Sequence, residues 1–227
     1  MLIVYFLIAG LIGYLCGSVP FGFLYVKAVK GINLTEYGSG RTGGTNSLRA
    51  AGVWVGVITS FSDVFKGAAA VLIVRLLFGN VVQAAMLPWV FMVAGIFSVV
   101  GHNWSLFLKF HGGAGTGPNV GWAAAIWLPM LPIGIVLMVG MLLLIGMASV
   151  ASISIAAVIP IAFFVLYLLG ITPYDATLAY TMGGIITLAI VLWALKPNIK
   201  RLIEGTERIV GPRARRLKKK QQQANNV

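Results

Sequence analysis

The residues Gly38-Ser39-Gly40-Arg41-Thr42-Gly43-Gly44-Thr45-Asn46-Ser47-Leu48-Arg49 form a polar island between two hydrophobic segments. Glycine-rich backbone presents N–H groups to an anion without side-chain obstruction, and arginine adds a planar fork that matches phosphate oxygens. Binding of a phosphorylated ligand is the chemistry this composition suits, with Gly38, Gly40, Arg41 and Arg49 as candidate contacts. A flexible loop whose arginines only anchor topology is the competing reading of the same residues. A second island at 101–119 holds His102, Lys109, His111 and the run Gly112-Gly113-Ala114-Gly115 just before a helix is expected to begin. Backbone N–H groups and the positive end of a helix dipole favour phosphate there too. His102 and His111 have the chemistry of general bases, although a lone interfacial histidine more often serves as a hydrogen-bonded structural group.

The rest of the chain must hold these islands at a bilayer. Of 227 residues, 59% are hydrophobic and 10% charged, and the mean hydropathy is +0.95; a water-soluble fold would lack the polar material to cover its surface. Apolar runs at 1–26, 53–78, 81–100, 120–147, 150–170 and 176–195 are each long enough, or nearly so, to cross roughly 30 Å of hydrocarbon at about 1.5 Å per residue. Lys27 and Lys30 follow the first run where a signal peptide would have a small-residue cleavage site, so it reads as a retained helix. The expected organisation is one all-α polytopic domain at 1–207 and a basic, disordered tail at 208–227.

Cations set the orientation. Lys27, Lys30, Arg41 and Arg49 follow the first helix, Lys109 follows the third, and ten of the 17 Lys and Arg lie from Lys196 onward. Those segments should be cytoplasmic. Six spans with an outside N-terminus would strand the tail outside as well. Pro129 and Pro132 resolve this by dividing the 120–147 run into a short helix and a fuller one. The expectation is about seven transmembrane helices, the N-terminus outside, the C-terminus cytoplasmic, and the short helix packed against others. Arg75 is the one misfit, and it can snorkel outward from the end of its helix.

Charges within the spans are informative because each is costly in hydrocarbon. Asp63 and Lys66 stand three residues apart on one helical face, where they can pair. Their bland role is an internal salt bridge; their functional one is Lys66 adding positive potential to the phosphate site. The tail carries Arg213, Arg215, Arg216, Lys218, Lys219 and Lys220 and supplies much of the +12 net charge. Attraction to anionic lipid head groups is expected, and nucleic acid is not, since no aromatic interleaving or RNA-binding module accompanies it. Trp104, Phe107 and Phe110 suit an interfacial aromatic belt. Cys16 is the single cysteine, which leaves neither a disulfide nor a cysteine metal site.

In this order the islands resemble the bacterial acyl-phosphate:glycerol-3-phosphate acyltransferases, the PlsY family. The resemblance runs through Gly17-Ser18-Val19-Pro20-Phe21-Gly22, the 38–49 island, Asp63 to Gly67, the stretch at 101–115, Asn198-Ile199-Lys200-Arg201-Leu202 and Gly205-Thr206-Glu207. It implies transfer of a fatty acyl group from acyl phosphate to glycerol 3-phosphate, giving lysophosphatidate for phospholipid biosynthesis, at a site on the cytoplasmic face of the inner membrane. Ser39, Arg49 and Asn198 fall on catalytic positions. Thr45, Asn46, Gly112, Gly113, Gly115 and Glu207 fall on motif positions expected to bind substrate or its phosphate, to which Lys66 and His102 are added. No cofactor or metal is expected, because an acyl phosphate is already an activated anhydride and the site can act by positioning and charge stabilisation.

Three positions depart from the family pattern: Arg41 stands where the family usually has asparagine, Ala114 where it has lysine, and Leu195 where it has histidine. Loss of the lysine removes a charge-assisted phosphate contact of about 1.5–3 kcal/mol. Arg41 is the candidate replacement. Two alternatives therefore stand beside the acyltransferase: a divergent paralogue that acts on another phosphorylated acceptor or only binds lipid phosphate, and a small transporter, favoured only by the intramembrane Asp63–Lys66 pair.

Overall fold

In a computed structural model, residues 2–175, 178–211, 213, 214, 222 and 223 are described. They form a helical bundle: α1 Leu2–Ser18, α2 Phe21–Lys30, α3 Gly44–Ala51, α4 Val53–Phe78, α5 Leu87–Asn103, α6 Thr116–Ile126, α7 Met130–Leu144, α8 Ala148–Leu168, α9 Ala179–Ala194 and α10 Lys196–Ile203. Four helical segments are long and apolar enough to cross a membrane: α1 with α2, α4, the segment Ala84–Asn103 that ends in α5, and α8; α9 with α10 makes a fifth if that bent pair is one span. The 11-residue α6 and 15-residue α7 are shorter than the roughly 20 residues of a full crossing.

Two prolines break apolar runs, since proline lacks an N–H and cannot continue a helix without loss. Pro20 separates α1 from α2 inside what reads as one apolar stretch. The liberated Val19 carbonyl accepts a 2.8 Å bond from Lys66 Nζ. Pro129 lies at the start of α7, dividing the fourth run as expected. The preceding α6 has its Pro118, Asn119, Val120, Gly121, Trp122, Ala123 and Ile126 buried, so the half-length helix is enclosed by protein.

Small residues let the helices approach. A Cβ on Gly17 would run into the Ser98 backbone, and one on Gly101 into that of Tyr14, which locks α1 against α5. Gly67 and Gly121 do the same between α4 and α6, against the backbones of Pro118 and Val64. In lipid, such backbone proximity replaces the hydrophobic drive that water supplies elsewhere. The central core is aromatic: Trp122 stacks on Phe163 at 5.6 Å between ring centroids, and Phe163 lies 5.3 Å from Tyr180. Trp122 satisfies its indole N–H on Asn119 Oδ1 at 2.7 Å. Together these contacts fix α5, α6, α8 and α9 beneath the polar loops.

Part of the tail assigned to 208–227 lies among the described residues. Val210 N–H donates to Gly146 O at 2.7 Å and Arg213 Nη1 to Ile145 O at 2.9 Å. Residues 212, 215–221 and 224–227, with most of the expected cationic cluster, lie outside the described residues.

Candidate functional site

The 38–49 island folds into a tight turn that leads into α3. Gly38 (φ +60°) and Gly40 (φ +72°) adopt left-handed conformations, which favour glycine. Asn46 organises the turn: its Oδ1 accepts from Ser39 N–H at 3.1 Å, and its Nδ2 donates to Tyr37 O at 2.8 Å and Arg41 O at 2.9 Å. Buried with its amide engaged in this way, Asn46 shapes the loop, a different position from the substrate contact expected of it. Thr45 is half-buried beside it. Among the described residues, neither the Ser39 hydroxyl nor the Arg49 guanidinium has a hydrogen-bond partner, so both are left open for a ligand. Burial lowers the Arg49 pKa, as does nearby Arg208, with Glu207 and Tyr37 opposing; arginine remains charged regardless.

The second island packs against the first. Thr42 N–H reaches Gly112 O at 3.4 Å, and Gly113 N–H donates to His102 O at 2.9 Å. A Cβ on Gly113 would collide with the His102 ring, and one on Gly112 with the His102 carbonyl. The loop can therefore settle onto His102 only as glycine. Gly115, at φ +84°, lies just before α6. His102 Nδ1 in turn faces Asp63 Oδ1 at 3.5 Å, and Asp63 pairs with Lys66 at 3.0 Å. Lys66 and Asp63 are each 3% exposed.

This arrangement corrects two expectations. Lys66 and His102 were expected among the phosphate contacts, but Lys66 is consumed by Asp63 and the Val19 carbonyl, and His102 is buried under the glycine loop. They brace the loop from below. The reason is solvation: a charge at that depth needs a partner within the bundle.

The third component comes from the far end of the chain. Between α9 and α10 the axis bends by 66°, bringing Asn198 beside the first loop. Arg41 Nη2 donates to Ala194 O and, at 2.8 Å, to Asn198 Oδ1. Asn198 Nδ2 donates to Glu207 Oε1 at 2.7 Å, and the same carboxylate takes Ser149 Oγ at 2.9 Å and Arg201 Nε at 3.0 Å. Burial by itself would raise the Glu207 carboxyl; hydrogen bonds from Asn198, Ser149 and Arg201 outweigh it and hold the group below its ordinary range. With both oxygens taken by protein donors, Glu207 anchors the site and is not placed as the phosphate contact expected of it. The sequence reading also missed the roles of Ser149 and Arg201. Arg201 lies within the 198–202 motif, which was its one signal; Ser149 sits at the start of an apolar helix and carried none.

Arg41, Gly112, Gly113, Asn103, Trp193 and Lys196 are among the residues lining a cleft of about 410 Å³. Arg41 Nη1 is buried and has no hydrogen-bond partner among the described residues. Burial and then repulsion from Arg201 lower the Arg41 pKa, with Glu207 opposing. Position 195 is apolar interior: Leu195 is 2% exposed and belongs to the core. Ala114 packs against the same core. Arg41 from the first loop, Gly112 and Gly113 from the second, and Lys196 at the start of α10 thus line one cleft among three distant segments, with Asn198 bonded to Arg41.

Comparison with known proteins identifies the family. The family model described as glycerol-3-phosphate acyltransferase matches residues 7–205. A glycerol-3-phosphate acyltransferase of Thermus thermophilus is 36% identical over 211 residues, covering 90% of this chain and 94% of that protein. The crystal structure of PlsY, an integral membrane glycerol 3-phosphate acyltransferase, superposes in its glycerol 3-phosphate form with a TM-score of 0.76 at 30% identity, covering 91% of this chain and 96% of that one. Its lysophosphatidic acid form gives 0.74 at 30% identity, with 91% and 95% covered. Similarity of sequence and fold along nearly the whole length leads to one conclusion: the chain belongs to the glycerol-3-phosphate acyltransferase family.

Proposed function

We propose that the chain is an acyltransferase of phospholipid synthesis that moves a fatty acyl group from acyl phosphate to glycerol 3-phosphate. The observation that carries this reading is the convergence of the two glycine loops and the α9–α10 bend around a cleft holding Arg41, whose Nη1 has no hydrogen-bond partner among the described residues. In the reaction the acceptor hydroxyl oxygen attacks the acyl carbonyl carbon, the bond from that carbon to the phosphate oxygen breaks, and inorganic phosphate leaves with the electron pair. A phosphate oxygen takes the hydroxyl proton, so no protein nucleophile is needed. Ser39, Arg49 and Arg41 orient the two phosphates and neutralise the charge that gathers on them, which is the larger part of catalysis when the donor is already activated. Gly38, Gly40, Thr45, Gly112, Gly113 and Gly115 form the surrounding loops, and Asn198 holds Arg41 in place.

The same reading has seven membrane helices, an outside N-terminus and a cytoplasmic site in the plasma membrane, supported by cations concentrated at the loop face and C-terminus. The domain is 1–207, with the basic segment beyond it directed at anionic head groups. A second reading is favoured by Ala114 and Leu195, both set in apolar surroundings where the resemblance calls for lysine and histidine: a divergent member that takes another phosphorylated acceptor or only binds lipid phosphate. Purified protein incubated with palmitoyl phosphate and glycerol 3-phosphate decides between them. Lysophosphatidate and inorganic phosphate formed in equal amounts support the first reading; phosphate binding without turnover supports the second.

A further inference from the structure

We propose that Arg208 is a second phosphate-gripping residue, closing from the C-terminal segment onto the Gly38–Ser39 turn so that it and Arg49 hold one phosphate monoester between them. This deepens the reading above by naming a further residue of the acceptor site, and rests on it. Arg208 Nη1 donates to Gly38 O at 2.6 Å. On the other side of the turn, Tyr37 Oη donates to the Arg49 carbonyl at 3.4 Å, tying the Arg49 end of α3 to the residue before Gly38. Ser39, next to Gly38, has its N–H taken by Asn46 and its hydroxyl open. Three donors of phosphate-binding type thus border one exposed turn.

What singles out this pair is that, among the described residues, neither arginine is held in a salt bridge by a carboxylate. The adjacent carboxylate, Glu207, is committed to Asn198, Ser149 and Arg201. Glu36, the acidic residue nearest in sequence to the turn, is paired with Asn33 Nδ2. Arg208 is close enough to Arg49 to depress its basicity. Two guanidinium groups held together by their scaffold repel when the site is empty and gain when an anion enters, and arginine forks match the oxygens of a phosphate monoester. Arg208 also sits on a held segment: Glu207 is anchored on one side, and Val210 N–H is bound to Gly146 O on the other.

The test uses the full-length protein, with Arg208→Gln, which removes the charge, and Arg208→Lys, which keeps a point charge. Arg208→Gln should raise the KM for glycerol 3-phosphate about tenfold while leaving the KM for palmitoyl phosphate unchanged, as expected for one charged contact on a partly exposed site. Arg208→Lys should recover part of that loss. A purely structural strap would instead lower the melting temperature and kcat with no acceptor-specific KM change, and that result overturns the proposal. If the parent chain does not turn over glycerol 3-phosphate, the functional reading fails, yet the clamp is still decided by calorimetric titration with glycerol 3-phosphate and inorganic phosphate. About tenfold weaker binding in Arg208→Gln supports the clamp; equal binding in parent and variant, or no phosphate binding by the parent, overturns it. Should Arg208→Gln fail to fold, Arg208→Lys serves alone, and an unchanged KM or affinity for glycerol 3-phosphate in it counts against the two-arginine grip.

Discussion

Replacing Arg41 by asparagine removes the side chain that joins the first loop to the α9–α10 bend through Ala194 O and Asn198 Oδ1. Each hydrogen bond from a charged donor contributes about 1.5–3 kcal/mol, and relieving the unpartnered, buried Nη1 returns about 1–3 kcal/mol. Two such bonds less that return leave a net loss of about 0–5 kcal/mol, with a midpoint of about 2.5 kcal/mol. If Nη1 also grips a substrate phosphate, the same change costs roughly ten- to a hundredfold in kcat/KM. The discriminating experiment is a cycle of Arg41→Asn, Ala114→Lys and the double variant, assayed with palmitoyl phosphate and glycerol 3-phosphate alongside thermal unfolding. Ala114→Lys alone should change activity modestly, because two cations then crowd one phosphate. The lysine stem can lie along the apolar surface that Ala114 covers while its charge reaches out. The double variant should recover most of the activity lost in Arg41→Asn, with a coupling of about 1–3 kcal/mol between the sites. An unchanged KM for glycerol 3-phosphate in Arg41→Asn, or effects that simply add, would refute compensation and favour the divergent-acceptor reading.

Three other outcomes are expected. Arg49→Ala should abolish turnover and Arg49→Lys should retain little of it, since a point charge cannot reproduce a two-pronged grip; near-normal kcat/KM in Arg49→Lys would reduce Arg49 to a topology anchor. In a Cys16→Ala background, single cysteines at Lys109 and Glu204 should react with impermeant maleimide only from the cytoplasmic side and one at Asn80 only from outside; a reversal at any of them would break the shared-face arrangement. Glu207→Gln should destabilise the fold at neutral pH and flatten its acid dependence. Glu207 is held below its ordinary value of 4.5, so its contribution is full above that value and disappears as pH falls through the lower folded one; an identical acid profile of melting temperature in parent and variant would contradict this.

Much of the architecture was legible because it depends on local composition. The division of the fourth apolar run at Pro129 follows from proline chemistry, and the Asp63–Lys66 pair from helical spacing, and the structure has both. The break at Pro20 was passed over because the residues on either side continue the hydrophobic run. The fate of Lys66 and His102 was illegible for a different reason. Residue type announced a cation and a base, but only packing reveals that Lys66 also reaches the Val19 carbonyl, and that Gly113 covers the His102 ring. Glu207 was read as a substrate contact from its place in the Gly205-Thr206-Glu207 motif, before its three donors were in view.

Sequence by itself determined the helical membrane class and the membership in one family, because hydropathy and motif order are properties of neighbours along the chain. Tertiary structure decided which polar groups are still open. Arg41 meets Ala194 across 153 positions of sequence, Arg208 meets Gly38 across 170, and Ser149 meets Glu207 across 58. Buried polar groups find partners wherever the fold brings them, and which of them lack one among the described residues, as Arg41 Nη1 does, is settled by packing and not by residue type.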